Sequence, residues 1–132
     1  MKKKILIVMA EYYETISKGL LHNTKKVLQE QFDLISVPGV FEIPVTIAKN
    51  IKKYDGFIAL GCVIKGETPH FDLISKAAID GIMKLSIEYK KPIGNGIITC
   101  LNLKQAIARQ KKGQEAAAAL LSVLNPVKVS AE

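Results

Sequence analysis

The fold of this chain follows from the stretch Leu60-Gly61-Cys62-Val63-Ile64-Lys65-Gly66-Glu67-Thr68-Pro69-His70-Phe71-Asp72. An apolar run over 57–64 predicts a buried strand, which the glycine turn at 65–66 ends. A helix is predicted over 69–89, because Thr68 is a favourable N-cap and Pro69 suits the first helical position. A strand that leads through a glycine turn into a helix presents free backbone N–H groups and the positive end of the helix dipole. The stretch therefore predicts an anion site with the imidazole of His70 beside it.

The rest of the chain alternates between apolar runs and amphipathic segments. Further strands are predicted over 4–9, 32–37 and 93–100, and further helices over 16–31, 43–51, 103–110 and 114–124. Asn102 is predicted to cap the helix that starts at Leu103, and Gly113 to interrupt the last helical region. Four apolar strands separated by helices indicate an α/β sandwich, in which a four-stranded parallel sheet is covered on both faces. Ligands of such sheets bind outside the carboxyl ends of the strands.

Length and composition predict one α/β domain over 1–132. The chain has 132 residues, of which 48% are hydrophobic, enough for one sizeable core. No apolar run reaches the roughly 20 residues of a membrane span, and Glu11 stands where a signal peptide would need small residues. Cys62 and Cys100 each end an apolar run and have no metal-site or redox spacing. We therefore expect a cytoplasmic protein with reduced thiols, no metal and no membrane segment.

The formal net charge of +7 raises the question of nucleic-acid binding. The lysines are dispersed in small groups, and Arg109 is the sole arginine. The four Phe and four Tyr do not interleave with the basic residues as in a stacking platform. We therefore expect a solvated basic surface and no nucleic-acid partner, with a field that favours anionic small substrates.

Three motifs together resemble the lumazine synthase family. They are Pro38-Gly39-Val40-Phe41-Glu42-Ile43-Pro44, the stretch 61–72 quoted above, and Lys112-Gly113-x-Glu115-Ala116-Ala117. The resemblance runs in register from Ile5 to about Leu124, and the central motif is long and specific. It implies a flavodoxin-like fold and a transferase of riboflavin biosynthesis. This enzyme would condense 5-amino-6-ribitylamino-2,4(1H,3H)-pyrimidinedione with L-3,4-dihydroxy-2-butanone 4-phosphate, without a cofactor, to give 6,7-dimethyl-8-ribityllumazine, phosphate and water.

The resemblance also assigns roles to individual residues. Tyr12 would stack on the pyrimidinedione ring, and Glu42 would accept hydrogen bonds from the ribityl hydroxyls. His70 would transfer protons near neutral pH, and Arg109 would reach the phosphate across a subunit boundary and bind it through its two-pronged guanidinium. The full set assigns catalysis to His70 and Arg109. It assigns substrate binding to Tyr12, Val40, Phe41, Glu42, Ile43, Cys62, Val63, Ile64, Asn95 and Lys112, and phosphate binding to Gly66, Glu67, Thr68 and Arg109.

The chain departs from the common family pattern in three places. Asn95 stands where an aromatic residue is frequent, so it can hydrogen-bond the heterocycle without covering it. The first strand begins almost at once, without the N-terminal strand that many members place on a neighbour, and Gln110-Lys111 replaces a longer connection. Family members form homopentamers with sites at the subunit interfaces, and some assemble into shells of twelve pentamers. We expect isolated pentamers here, with riboflavin synthase as a possible pathway partner.

Two other functions are compatible with the residues. A module of the same fold could bind lumazine or riboflavin without catalysis, which the substitution at Asn95 favours. A nucleic-acid binder would need an affinity that falls steeply with salt.

Overall fold

The computed structural model describes residues 2–66 and 70–130, which alternate between strands and helices. The strands are β1 (Ile5–Ala10), β2 (Phe32–Val37), β3 (Gly56–Ile64) and β4 (Ile93–Cys100). The α-helices are α1 (Glu14–Val27), α2 (Ile43–Asn50), α3 (His70–Tyr89), α4 (Leu103–Ala108) and α5 (Lys112–Leu124), and a 3-10 turn, Val40–Glu42, precedes α2. The strands form one parallel sheet in the order β2-β1-β3-β4. Within the described ranges, no helix is both long and apolar enough to cross a membrane.

Strict alternation along the buried strands creates two cores, one on each face of the sheet. In β1, the side chains of Ile5, Ile7 and Met9 pack with α1 and α5 on one face. Those of Leu6 and Val8 pack with α2 and α3 on the other. The side chains of a strand point to opposite faces in turn, so a continuous apolar run is needed when both faces are covered. The result is the predicted three-layer α/β/α sandwich with flavodoxin-like strand order.

Glycine allows α5 to approach its neighbours closely on both sides. A Cβ at Gly113 would lie 2.1 Å from the carbonyl oxygen of Leu20 in α1. A Cβ at Gly94 in β4 would lie 2.2 Å from the carbonyl oxygen of Ala116 in α5. Thr24 strengthens the first contact, since its hydroxyl lies 3.2 Å from the carbonyl oxygen of Gly113. The helix is therefore held between α1 and β4 at backbone distance.

The element boundaries lie within two residues of the predicted ones, except at the end of α1. α1 ends at Val27 rather than continuing to Gln31, because Leu28 adopts an extended conformation and is buried. The last helical region is interrupted as predicted, but at residues 109–111 rather than at Gly113, which lies inside α5 and allows the close contact with α1. The 3-10 turn before α2 was not predicted. Asn102 caps α4 as predicted, with its Oδ1 accepting the N–H of Gln105 at 2.9 Å. The predicted cap residues Thr68 and Pro69 of α3 lie outside the described residues.

Helix α3 ends in a Schellman motif with a lysine at the left-handed position. Lys90 has a φ of 53°, and the N–H of Lys91 donates to the carbonyl of Ser86 at 3.2 Å. This reverse hydrogen bond satisfies a terminal carbonyl of the helix, and glycine is the usual residue at the left-handed position.

Replacing Lys90 by glycine is expected to raise the free energy of unfolding by about 1 kcal/mol, because the Cβ no longer opposes the left-handed conformation. Urea denaturation followed by circular dichroism measures the change. The matched control is Lys84→Gly, an exposed position inside the same helix, where glycine should lower stability by about 1 kcal/mol. Equal destabilisation by both substitutions would contradict the assignment of strain to Lys90.

Candidate active site

The carboxyl ends of the strands meet at one edge of the sheet, and the loops that follow them form the candidate site. Strand order reverses between β1 and β3, so a crevice opens between their following loops. Backbone pairing continues past the strand ends, since the N–H of Glu11 donates to the carbonyl of Val37 at 2.8 Å and the N–H of Lys65 donates to the carbonyl of Cys100 at 2.8 Å. The buried hydroxyl of Ser17 donates to the carbonyl of Ala10 and ties α1 to the end of β1. These bonds hold the bases of the loops in place.

The loop after β1 places a free aromatic face at this edge. Tyr12 is 77% exposed, and the ring of Tyr13 meets it edge to face, with centroids 4.9 Å apart. Tyr13 packs against the core beside α1, and burial raises the pKa of its hydroxyl. The partly buried ring of Tyr13 therefore supports the exposed ring of Tyr12, which remains available to a flat heterocycle.

The 3-10 turn after β2 contributes a carboxylate. One oxygen of Glu42 accepts the N–H of Gly39 at 2.9 Å, which fixes the side chain over the start of its own turn. Val40 and Ile43 are buried in the core, so their side chains face away from the solvent that a ligand would displace. Phe41, in contrast, is 62% exposed. The polar groups that this segment can offer to a ligand are therefore the Glu42 carboxylate and its backbone N–H and C=O groups.

Gly61 brings that turn against β3. A Cβ at Gly61 would lie 2.7 Å from a methyl carbon of Val40, so only glycine allows Val40 to pack so closely on the strand. The Glu42 segment is thereby placed near the carboxyl end of β3. The sequence showed this glycine inside the central motif but not its contact, which joins residues distant in the chain.

The end of β3 supplies the predicted anion loop. Val63 and Ile64 are partly exposed, and Lys65 and Gly66 are exposed. No described atom would come within 4 Å of a Cβ at Gly66, so the backbone there is open to approach. Glu67 and Thr68, predicted to bind phosphate, lie outside the described residues. His70 follows as the exposed first residue of α3, where a bound anion would meet the positive end of the helix.

Cys62 points away from this loop into the core beside α1. Burial, together with the neighbouring Cys100, raises the pKa of the Cys62 thiol to about 12. The thiol is therefore protonated at neutral pH and is a poor nucleophile. Its contribution to a ligand is limited to its backbone groups.

Arg109 reaches the same edge from α4. Its Nη1 donates to the carbonyl of Thr99 at 3.2 Å, near the end of β4, and the side chain is otherwise exposed. Thr99 lies on the edge strand β4, and because the carbonyl of the next residue, Cys100, points to β3, the Thr99 carbonyl and the guanidinium lie on the open side of β4. Sequence analysis did not reveal this carbonyl anchor. The cap at Asn102 and the Gln105 side chain, which accepts the Leu101 N–H at 2.7 Å, shape the intervening loop, and their spacing is a capping signal.

Two predicted residues lie elsewhere in the protomer. Asn95 lies on the edge strand β4, where it pairs with Ala59, and its Oδ1 accepts the N–H of Ile97 at 3.0 Å. Lys112 starts α5 beside the middle of α1, and its ammonium lies 3.8 Å from a carboxylate oxygen of Glu115. Their roles in substrate binding stay predictions, and these roles would require the site to be shared with a second subunit. Tyr12, Glu42, His70 and Arg109 thus belong to the segments that follow β1, β2, β3 and β4, respectively, at the carboxyl edge of the sheet.

The carboxyl edge of the sheet thus presents an aromatic ring, a carboxylate that can accept hydrogen bonds, and a basic loop with exposed backbone. This arrangement is typical of α/β proteins that bind a ligand where the strand order reverses. A family model described as 6,7-dimethyl-8-ribityllumazine synthase matches residues 2–128. The chain belongs to the 6,7-dimethyl-8-ribityllumazine synthase family.

Three relatives with that name illustrate the similarity. The Bartonella bacilliformis protein is 45% identical over 118 residues, covering 84% of this chain and 78% of the relative. The Bartonella tribocorum protein is 43% identical over 137 residues, covering 94% and 91%. The Agrobacterium fabrum protein is 41% identical over 138 residues, covering 93% of each. The similarity therefore extends across almost the whole chain and its four strand-end loops.

Proposed function

We propose that this chain is a 6,7-dimethyl-8-ribityllumazine synthase that carries out the penultimate step of riboflavin biosynthesis. Its substrates are 5-amino-6-ribitylamino-2,4(1H,3H)-pyrimidinedione and L-3,4-dihydroxy-2-butanone 4-phosphate. The observation that carries the proposal is family membership over residues 2–128, together with the matching motif residues at the carboxyl edge of the sheet.

The site residues suit this condensation in distinct ways. Tyr12 offers a face to the pyrimidinedione, and Glu42 accepts hydrogen bonds from the ribityl chain. Arg109 and the loop at Gly66, continued by Glu67 and Thr68, bind the phosphate of the second substrate. The backbone of the Val40–Ile43 and Cys62–Ile64 segments completes the pocket walls. The proposal assigns no cofactor and no metal.

The chemistry is a transferase reaction in three stages. The 5-amino nitrogen attacks the ketone carbon and expels water to form a Schiff base. Phosphate then leaves as the C–O bond to the phosphate oxygen breaks, and the electrons of an adjacent C–H bond form the new double bond. The enol formed in this way takes up a proton at its terminal carbon and loses its hydroxyl proton, which gives a ketone. The 6-ribitylamino nitrogen attacks this new carbonyl carbon, and a second water leaves as the ring closes. His70 accepts and returns the protons, while positioning of two reactive substrates supplies much of the acceleration.

Assembly forms part of the proposal. Exposed apolar side chains lie on α3 and on the adjoining 3-10 turn and α2, namely Phe41, Val45, Leu73, Met83 and Ile87. Contiguous exposed apolar surface is typical of protein interfaces. A homopentamer would cover this surface, and a neighbour could bring its Asn95 and Lys112 to the site of the first subunit. We place the enzyme in the cytoplasm, with riboflavin synthase as the pathway partner that consumes its product.

The proposal is tested by mixing the purified protein with both substrates and following product by absorbance and fluorescence, with phosphate release measured in parallel. The uncatalysed condensation sets the background. We expect saturable acceleration with one phosphate released per lumazine formed. Background rates at all protein concentrations would contradict the proposed function.

The alternative is a lumazine- or riboflavin-binding module without catalysis. It is favoured by Asn95, whose side-chain amide cannot cover the heterocycle as an aromatic ring would. Tight binding of the lumazine without acceleration of its formation would support the module over the enzyme.

A further inference from the structure

The amino edge of the sheet, opposite the candidate active site, collects most of the grouped lysines. The segments that precede β1, β3 and β4 contain Lys2–Lys4, Lys52–Lys53 and Lys90–Lys91. The first two segments are bound together, since Lys4 N–H donates to the Asp55 carboxylate at 2.7 Å and Asp55 N–H donates to the Lys4 carbonyl at 2.7 Å. The topology thus converts lysines scattered along the sequence into one basic edge.

The carboxylates at this edge are already bound to uncharged donors. Asp33 accepts the hydroxyl of Tyr54 at 2.6 Å, and Asp55 accepts the backbone N–H described above. Glu30 accepts the N–H of Gln29 at 3.1 Å. Each acidic group therefore has a hydrogen-bond donor that is not an ammonium.

The ammonium groups of the lysines at this edge are available to a ligand. In the part of the chain that the structure describes, no ion pair involves the ammonium groups of Lys2–Lys4 or Lys52–Lys53. Lys91 is different, because its Nζ donates to the carbonyl of Ile51 at 2.6 Å and fixes the loop before β3 from the other side. Five lysines, Lys2–Lys4 and Lys52–Lys53, thus face the three carboxylates of Glu30, Asp33 and Asp55, so this edge keeps a net positive charge.

These lysines line an open cleft of about 1460 Å³ between the amino ends of the strands and the end of α5. Its other walls are residues 29–33, Tyr54, Leu124 and Asn125. Lysine is a flexible point charge that binds phosphate without a fixed geometry. A ligand with several adjacent phosphates can contact several of these ammonium groups at once.

We propose that the cleft at the amino edge of the sheet binds a small oligophosphate anion, of the inorganic tripolyphosphate or nucleoside triphosphate class, at a site separate from the active site. The recognition is of the phosphate chain. The inference depends on the lysines and on the bound state of the carboxylates, and it does not depend on the proposed enzymatic reaction.

A nucleic acid fits this cleft less well. Tyr54 and Phe32 are the aromatic residues of the cleft lining. The ring of Tyr54 packs edge to face on Phe57 and its hydroxyl is bound to Asp33, and Phe32 packs against the hydrophobic core. The sole arginine, Arg109, lies at the opposite edge. Base stacking and bidentate phosphate contacts, which strengthen nucleic-acid binding, therefore have no residues to carry them here.

Isothermal titration of the full chain with sodium tripolyphosphate, at low and at physiological salt, tests the proposal. Lys52→Gln/Lys53→Gln is expected to raise the Kd by about tenfold, because two exposed charge contacts are lost. The control with the same net charge is Lys84→Gln/Lys104→Gln, two exposed lysines outside the cleft, which should leave the Kd within about twofold. Arg109→Ala should also leave it unchanged, because the active site lies at the other edge.

Four results would overturn the proposal. They are absence of tripolyphosphate binding, equal weakening by both lysine pairs, weakening by Arg109→Ala alone, and binding of ATP without binding of tripolyphosphate. Tighter binding of a DNA duplex than of tripolyphosphate at equal phosphate concentration would also contradict it, and would instead assign the edge to nucleic acid. Equal affinity for ATP and tripolyphosphate is the expected result.

Discussion

Replacing Arg109 by alanine is expected to lower kcat/KM for the proposed condensation by about a hundredfold, because the charge that develops on the departing phosphate loses its main stabilising group. His70→Ala is expected to cost less, about tenfold, since the substrates are reactive and water can replace a proton-transfer group. Steady-state kinetics with the butanone phosphate varied at saturating pyrimidinedione measures both. Arg109→Lys should recover only part of the loss, because lysine keeps the charge but not the two-pronged guanidinium.

The matched control for Arg109 is Lys104→Ala, which removes another exposed cation from α4. It should leave kcat/KM nearly unchanged, which would separate a specific phosphate contact from the general attraction of a basic surface. Unchanged kinetics in Arg109→Ala would remove this residue from the proposed mechanism.

Replacing Gly113 by alanine is expected to lower the free energy of unfolding by about 2 kcal/mol, although alanine is the better helix former by about 1 kcal/mol. The new methyl group would lie 2.1 Å from the Leu20 carbonyl oxygen and 2.8 Å from the hydroxyl of Thr24, so α5 must move away from α1. Denaturant unfolding measures the loss, and differential scanning fluorimetry should show a lower melting temperature.

The propensity term is measured separately by Ala118→Gly, an exposed position in the same helix. That variant should lose about 1 kcal/mol from backbone entropy alone. If Gly113→Ala instead stabilised the protein by the amount that Ala118→Gly costs, close contact with α1 would not be the reason for the glycine.

The sheet was predictable because β1 and most of β3 are buried on both faces and read as continuous apolar runs. β2, which is largely exposed, and β4 begin and end at the predicted residues, since Pro38-Gly39 marks the end of β2 and Lys91-Pro92 precedes β4. The end of α1 was not predictable from local signals. Residues 28–31 are Leu-Gln-Glu-Gln, all good helix formers, and the helix stops because Leu28 turns into the core. A tertiary contact decided this boundary, as it did for Gly113 inside α5.

The candidate site was predictable to the extent that it follows strand ends. Tyr12 and His70 stand directly after apolar strands or their turns, so their placement follows from the parallel topology. The contact of Arg109 with Thr99 spans a loop and a helix, that of Gly61 with Val40 joins two separate motifs, and no local pattern indicates either contact. Asn95 and Lys112 owe their assignments to family resemblance, and in one protomer they lie away from the edge.

The rate at which the two cysteines react with a thiol reagent can report local opening of this protein. Cys62 and Cys100 lie at the carboxyl ends of neighbouring strands, directly beneath the loops that form the candidate site. Both are buried, and the Cys62 pKa of about 12 leaves almost no thiolate at neutral pH. A thiol reagent can therefore modify them only when that end of the sheet opens, so the labelling rate counts opening events. The effect of a ligand on the rate of local opening can therefore be measured without an engineered probe.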